Sequence, residues 1–164
     1  MSFVLFISFL ILLRLSELLI ARRNEIWLRE NGAVEYGKKH YPFIVLLHLG
    51  FMLSLVIEYL LKPTETPDYF LLALFLALIA VKMHIIYSLG RYWNTKILHI
   101  SGVPLVRKGL YKYFKHPNYF IVISEIAVIP LIFHLYVTAI VFSVLNAIML
   151  FIRIKAENKI LKQA

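Results

Sequence analysis

YFIVISEIAVIPLIFHLYVTAIVFSVLNAIMLFI, residues 119–152, decides the fold. Across this stretch the only charged side chain is Glu125. The run exceeds the roughly 17–25 residues that one membrane-spanning helix needs. It therefore reads as two short helices that turn back on each other near Pro130–Tyr136, with His134 at the polar centre of the turn. Three more apolar runs lie upstream. Met1–Ile20 is broken only by Arg14 and Glu17. Pro42–Leu61 places its proline in a first helical turn, where the missing N–H costs nothing. Asp68–Leu89 opens on a residue suited to capping a helix. The expectation is an all-α, polytopic integral membrane protein of about five transmembrane helices, the last two forming a short helical hairpin. Residues 1–164 read as one domain. Met1–Ile20 lacks the basic start and small-residue cleavage site of a signal peptide and reads as a span.

Composition agrees. A chain that is 61% hydrophobic and 16% charged is neither a water-soluble globule nor a disordered segment. Zero cysteines exclude disulfides, thiolate nucleophiles, Cys-ligated zinc and iron–sulfur clusters. No histidine pair has metal-ligand spacing, and no metal site is expected. The net charge of +9 would suggest nucleic acid in a soluble protein, but here it is distributed by loop. Five basic residues lie in Arg22–Lys39, six in Arg91–Lys115 and four in the tail (Arg153, Lys155, Lys159, Lys162), against Lys62 on the other side. The positive-inside rule then puts the N-terminus outside and the C-terminus in the cytoplasm, a parity that five spans satisfy. Membrane lipids, whose anionic headgroups attract such loops, are the expected partners, with no nucleic acid. Pairing of two copies within the bilayer suits so small a chain.

Charges at bilayer depth cost roughly 2.5–3.5 kcal/mol each on insertion scales, so each needs a partner. Arg14 and Glu17, three apart on one helix, form a self-neutralising pair. Glu58 lies near a helix end, within range of water, and Lys82 would have to snorkel to an interface. His48 and His84 read as core histidines, the alternative being that they line a cavity. Glu125 has no basic residue after it until Arg153, so Arg153, Lys155, Lys115 or a ligand is its expected partner. Asn146, Arg153 and Glu157 share one face of the last helix.

The densest polar segment runs from Leu89-Gly90-Arg91-Tyr92-Trp93 to Lys115-His116-Pro117-Asn118-Tyr119. Glycines and prolines set a tight path, and aromatics offer stacking faces for a base or a sulfonium. Pro117 biases His116 away from helix, placing it at a helix mouth whose free amides suit an anionic group.

Gly109-x-Tyr111-x-x-x-Lys115-His116-Pro117-x-Tyr119, followed by the apolar stretch and Arg153-x-x-x-Glu157-x-x-x-Leu161, resembles the isoprenylcysteine carboxyl methyltransferase superfamily of integral membrane methyltransferases. That superfamily includes phospholipid N-methyltransferases. Arg22-Arg23-Asn24-Glu25-x-Trp27, Gly32-Ala33-x-Glu35 and His40-Tyr41-Pro42 look like a bacterial branch linked with O-methylation of alkylpyrones. The resemblance implies S-adenosyl-L-methionine as methyl donor, a lipophilic acceptor, and a cofactor-binding part over approximately residues 86–161. Carried over, the cofactor-binding residues are Trp93, Gly109, Tyr111, Lys115, His116, Pro117, Tyr119, Arg153, Glu157 and Asn158. The catalytic candidates are His116, Glu125 and Arg153.

Three positions depart from the family pattern: Lys115 stands for Arg, Ile121 for Gly, and Asn158 for a second Glu. Lys115 keeps the charge but loses the planar fork. The tetrapeptide His116-Pro117-Asn118-Tyr119 also occurs in NADPH-dependent membrane sterol and enone reductases, but their following Gly-Glu is replaced by Ile121-Val122. A non-enzymatic membrane scaffold or small transporter is the third class.

Overall fold

The computed structural model describes residues 2–63, 66–104 and 106–161, with side chains through 158. Leu105 and Lys162 lie outside the described residues, as do the side chains of Lys159 and Leu161. Five α-helices dominate: α1 (Ser2–Glu30), α2 (Tyr41–Leu61), α3 (Tyr69–Leu89), α4 (Pro117–Leu131) and α5 (Tyr136–Leu161). The helical reading of every apolar run holds. α1 continues ten residues past Ile20, through a polar stretch carried by the Arg29–Glu25 pair four apart.

The chain is all-α in class, and one small ribbon is added to the helices. Two short strands, β1 (Ala33–Tyr36) and β2 (Ile97–Ile100), pair antiparallel, with Val34 opposite His99 and Glu35 opposite Leu98. Gly32, at φ +82°, turns the chain out of α1 and into β1 in a conformation that costs glycine little.

Four of the five helices have the length of a full span. α1, α2, α3 and α5 are long and apolar enough to cross a membrane. α4, with 15 residues, rises only about 22 Å at about 1.5 Å per residue. That is less than the roughly 30 Å hydrocarbon thickness of a bilayer. Residues 132–135 connect it to α5. Leu135 N–H donates to Pro130 O at 3.0 Å, and His134 takes φ +58°, so the turn forms without glycine.

The helix ends interlock at this end of the molecule. The Asp68 carboxylate caps α3 by accepting from Leu71 N–H at 3.0 Å, and Asp68 N–H donates to Ile132 O at 2.8 Å. Glu58, near a helix end and half-exposed as expected, also caps α5 from a neighbouring helix. Its two oxygens accept from Val137 N–H at 3.0 Å and Thr138 N–H at 2.7 Å. Four orphan donors at a helix start make such a carboxylate favourable. Phe3, Phe6, Phe75 and Phe133 pack edge-on nearby. Outward positions such as Leu12, Leu19, Leu46 and Ile140 remain apolar and exposed, as a lipid solvent requires.

Midway along the bundle the charges find one another. Lys82 lies 2.8 Å from Glu125 and 2.9 Å from Glu17, and Arg14 lies 2.8 Å from Glu125 and 2.9 Å from Glu17. Two expectations are corrected here. Lys82 does not snorkel, and Glu125 pairs with Arg14 and Lys82, not with Arg153, Lys155 or Lys115. Two cations and two carboxylates sum to zero, which lets all four stay at depth. His48 bonds the carbonyl of Ile44 at 2.8 Å.

Candidate functional site

The site lies at the opposite end, where α1 and α3 finish and α4 starts. Asn24, buried on α1, donates to Trp93 O at 2.7 Å and to Gly90 O at 3.1 Å. Asn94 donates back to Ala21 O at 2.8 Å. These bonds fix the segment after α3 against α1 and lead it into β2. Lys96 is neutralised by Glu25 at 2.7 Å, and Glu25 also binds Arg29, which binds Glu35 on β1. The ribbon is thereby tied to α1.

On the other flank, Gly109 has φ +54°, and a Cβ there would stand 2.4 Å from Ser88 Oγ and 3.1 Å from His84 Nε2. Only glycine lets this segment lie against the end of α3. The chain then rises through a short 3-10 turn, Gly109–Lys112, to His116. His116 precedes Pro117, sits at φ −135° and stays outside the helix, as a residue before proline should.

Between these flanks is a cavity of about 550 Å³. Sites for small ligands are commonly 300–1,000 Å³. Its wall includes Trp93, Lys96 and His99 on the β2 side, Tyr111 and Lys115 on the 3-10 side, and His116, Asn118, Tyr119, Arg153 and Glu157 from α4 and α5. Tyr119 OH donates to Glu157 Oε2 at 2.6 Å. Arg153 Nε donates to Tyr119 OH at 2.9 Å, and Arg153 Nη2 donates to Thr95 O at 2.6 Å. His116 stacks on Tyr119, with ring centres 5.2 Å apart, and its Nδ1 lies 3.4 Å from Glu157 Oε2. The last helix, the His-Pro turn and the start of β2 are thus joined by one polar cluster. Arg153 ties Tyr119 to Thr95.

Among the described residues, three buried polar atoms on this wall have no protein partner: Trp93 Nε1, His116 Nε2 and Asn118 Oδ1. Buried donors and acceptors are rarely left so, and here they border a hollow. Burial and the nearby Glu157 push the Tyr111 hydroxyl up to about 12, so it stays a neutral donor. His40, close to Arg153, is held below the ordinary imidazole range, first by burial and then by that positive charge.

Of the residues singled out from sequence, Trp93, Tyr111, Lys115, His116, Tyr119, Arg153 and Glu157 line this cavity. Gly109, Pro117 and Asn158 do not line it: Gly109 packs on α3 and Pro117 starts α4. Glu125 lies in the charge quartet and not on the cavity wall. Three of the wall residues named above were not singled out, two of them on the β2 side. Lys96, His99 and Asn118 belong to the wall, and of these only Asn118 fell inside the quoted motif.

Fold and cavity together define an integral membrane protein with a polar recess where its helices end. A family model for the isoprenylcysteine carboxyl methyltransferase family matches residues 71–163. This span holds α3, β2, α4, α5 and nearly all of the cavity wall. The chain belongs to that methyltransferase family. It is 46% identical over 163 residues to the uncharacterized protein YpbQ of Bacillus subtilis (strain 168), covering 98% of this chain and 97% of that one. It is also 30% identical over 149 residues to an uncharacterized protein of Haemophilus influenzae, covering 89% and 87%. No solved structure matches the chain.

Proposed function

We propose that this chain transfers a methyl group from S-adenosyl-L-methionine to a lipophilic acceptor at the cytoplasmic membrane face. The acceptor oxygen is a carboxylate, enol or phenol on a prenyl, polyketide or lipid tail. The observation that carries this reading is the meeting of His116 and Tyr119 with Arg153 and Glu157 on the wall of one cavity. The two halves of the family motif, 34 residues apart between Tyr119 and Arg153, are hydrogen-bonded to each other there.

The wall suits the donor chemically. The orphaned Trp93 N–H, His116 nitrogen and Asn118 oxygen provide polar partners for a ligand with an amino-acid end and a base. Tyr111 on the cavity wall presents an aromatic face that attracts a sulfonium. When bound, the donor supplies a methyl group already activated by positive charge on sulfur. The protein then mainly aligns the reactants, an effect worth roughly 7–11 kcal/mol in favourable systems. A carboxylate or an acidic enol arrives without the proton that a base would remove, whereas a phenol, like any neutral hydroxyl, brings it. For a neutral hydroxyl, His116, backed by Glu157, is the group that takes the proton.

The basic end of the bundle is assigned to the cytoplasm, where the donor is dissolved, with the N-terminus on the far side. Calorimetry of detergent-purified protein with S-adenosylhomocysteine tests the reading. Saturable micromolar binding, lost in His116→Ala, is expected. No binding up to millimolar, with NADPH binding instead, would replace it with the reductase.

A further inference from the structure

Residues 107–115 do something the methyl-transfer chemistry does not require. Leu110 and Tyr111 turn inward and pack on the apolar core. Gly109 presses the segment onto Ser88 and His84 at the end of α3, which fixes its depth where an apolar helix ends. The outward residues are Arg107, Lys108, Lys112, Tyr113, Phe114 and Lys115, all exposed. Tyr113 is 75% exposed and Phe114 62%, and neighbouring Tyr87 on α3 is 87% exposed. Rings this bare, at the end of a span, belong to the amphipathic belt between hydrocarbon and water.

The cations around them are unneutralised. Among the described residues, Arg107, Lys108, Lys112 and Lys115 form no ion pair, while Lys112 lies over the Tyr113 ring at 5.7 Å. The one carboxylate on the cavity wall, Glu157, is engaged by Tyr119 and His116. An exposed aromatic pair ringed by unpaired cations at interfacial depth fits a negative headgroup with an acyl chain beneath it.

We propose that residues 107–115 form a docking surface for anionic phospholipids of the leaflet at the basic end of the bundle. The lipid phosphate lies among Arg107, Lys112 and Lys115, and its chains lie against Tyr113 and Phe114. Arg107, Lys112, Tyr113, Phe114 and Lys115 also line the outer part of the cavity, so the docked lipids stand at its mouth. This inference stands apart from the methyl-donor reading, because it needs only the membrane location of the chain.

The test uses the full-length protein carrying Phe114→Trp, in nanodiscs of phosphatidylcholine with 30% phosphatidylglycerol. Bromine is placed on the chains of one lipid or the other, at matched bromine content. Expected is about fivefold more efficient quenching by the brominated phosphatidylglycerol of the fluorescence that Phe114→Trp adds to that of Trp27 and Trp93, taken as the difference from the unsubstituted chain and equivalent to one surface cation's attraction to an anionic leaflet. Arg107→Gln/Lys112→Gln/Lys115→Gln should reduce that ratio to about one, as neutral side chains no longer select by headgroup charge. Native mass spectrometry of the unsubstituted chain should retain phosphatidylglycerol over phosphatidylcholine. Equal quenching by both lipids, or a preference that survives the triple substitution, would overturn the proposal. Loss of the preference on adding inorganic phosphate, but not chloride of equal ionic strength, would assign the cations to a free anion and also overturn it.

Discussion

Lys82 on α3 and Glu125 on α4 meet in the apolar interior, with Nζ 2.8 Å from one carboxylate oxygen and 3.1 Å from the other. With Arg14 and Glu17 they close a neutral quartet that binds three helices together. Removing one member leaves an uncompensated charge in a medium that cannot solvate it. Lys82→Met and Glu125→Leu should each lower the unfolding free energy by about 3 kcal/mol or more. The double variant keeps Arg14 with Glu17, restores neutrality, and should recover most of that loss. Unfolding by SDS in mixed micelles, followed by circular dichroism, measures both. Additive losses in the double variant would show that the four charges do not act together.

His116→Ala and Glu157→Gln should leave the helical content unchanged while lowering methyl transfer by about 100-fold or more, as expected for residues that align reactants. Glu157→Gln keeps an acceptor for Tyr119 OH but withdraws the negative charge near His116. Its binding of S-adenosylhomocysteine should therefore weaken less than that of His116→Ala. Turnover near that of the parent chain in either variant would remove the cluster from the site.

Gly109→Ala places a methyl group 2.4 Å from Ser88 Oγ on a backbone held at φ +54°. The expected cost is about 1–3 kcal/mol, from left-handed strain together with the clash. Adding Ser88→Ala removes the oxygen but leaves Ser88 Cβ at 3.0 Å, so the rescue should be partial. Thermal unfolding in detergent distinguishes full, partial and absent rescue.

The His40 imidazole prefers its neutral form in the folded chain, because burial and Arg153 both oppose its charge. Its folded value lies below the unfolded one of about 6.5, so the unfolded chain binds the proton first as pH falls. The associated stability is fully present above that value and is lost as pH drops through the folded one. Melting temperature should therefore decline on acidification below about pH 6.5. The slope should be shallower in His40→Gln. Equal slopes would show that other groups carry the dependence.

Much of this was legible along the chain. Asp68 announced the start of α3 and Pro42 sits in the first turn of α2, because capping and proline geometry are local. Lys115, His116, Tyr119, Arg153 and Glu157 were legible as one motif and lie on one wall. Three things were not. Glu125 has Lys82 43 residues before it and Arg14 111 residues before it, and nothing local distinguishes those partners from Arg153. The ribbon of β1 and β2 joins two four-residue segments too short to show a period. Glu58 caps a helix 79 residues away, a relation no terminus motif encodes.

The lengths of the apolar runs and the unequal sharing of basic residues determined by themselves that the chain is a helical membrane protein, since transfer of a segment into lipid sums over its own residues. Which side chains confront each other was decided only in three dimensions. Pairing across helices depends on the rotation, depth and neighbour of each, and these are set by packing against elements far away in sequence. The quartet at mid-bundle and the cavity at the basic end both come from that packing.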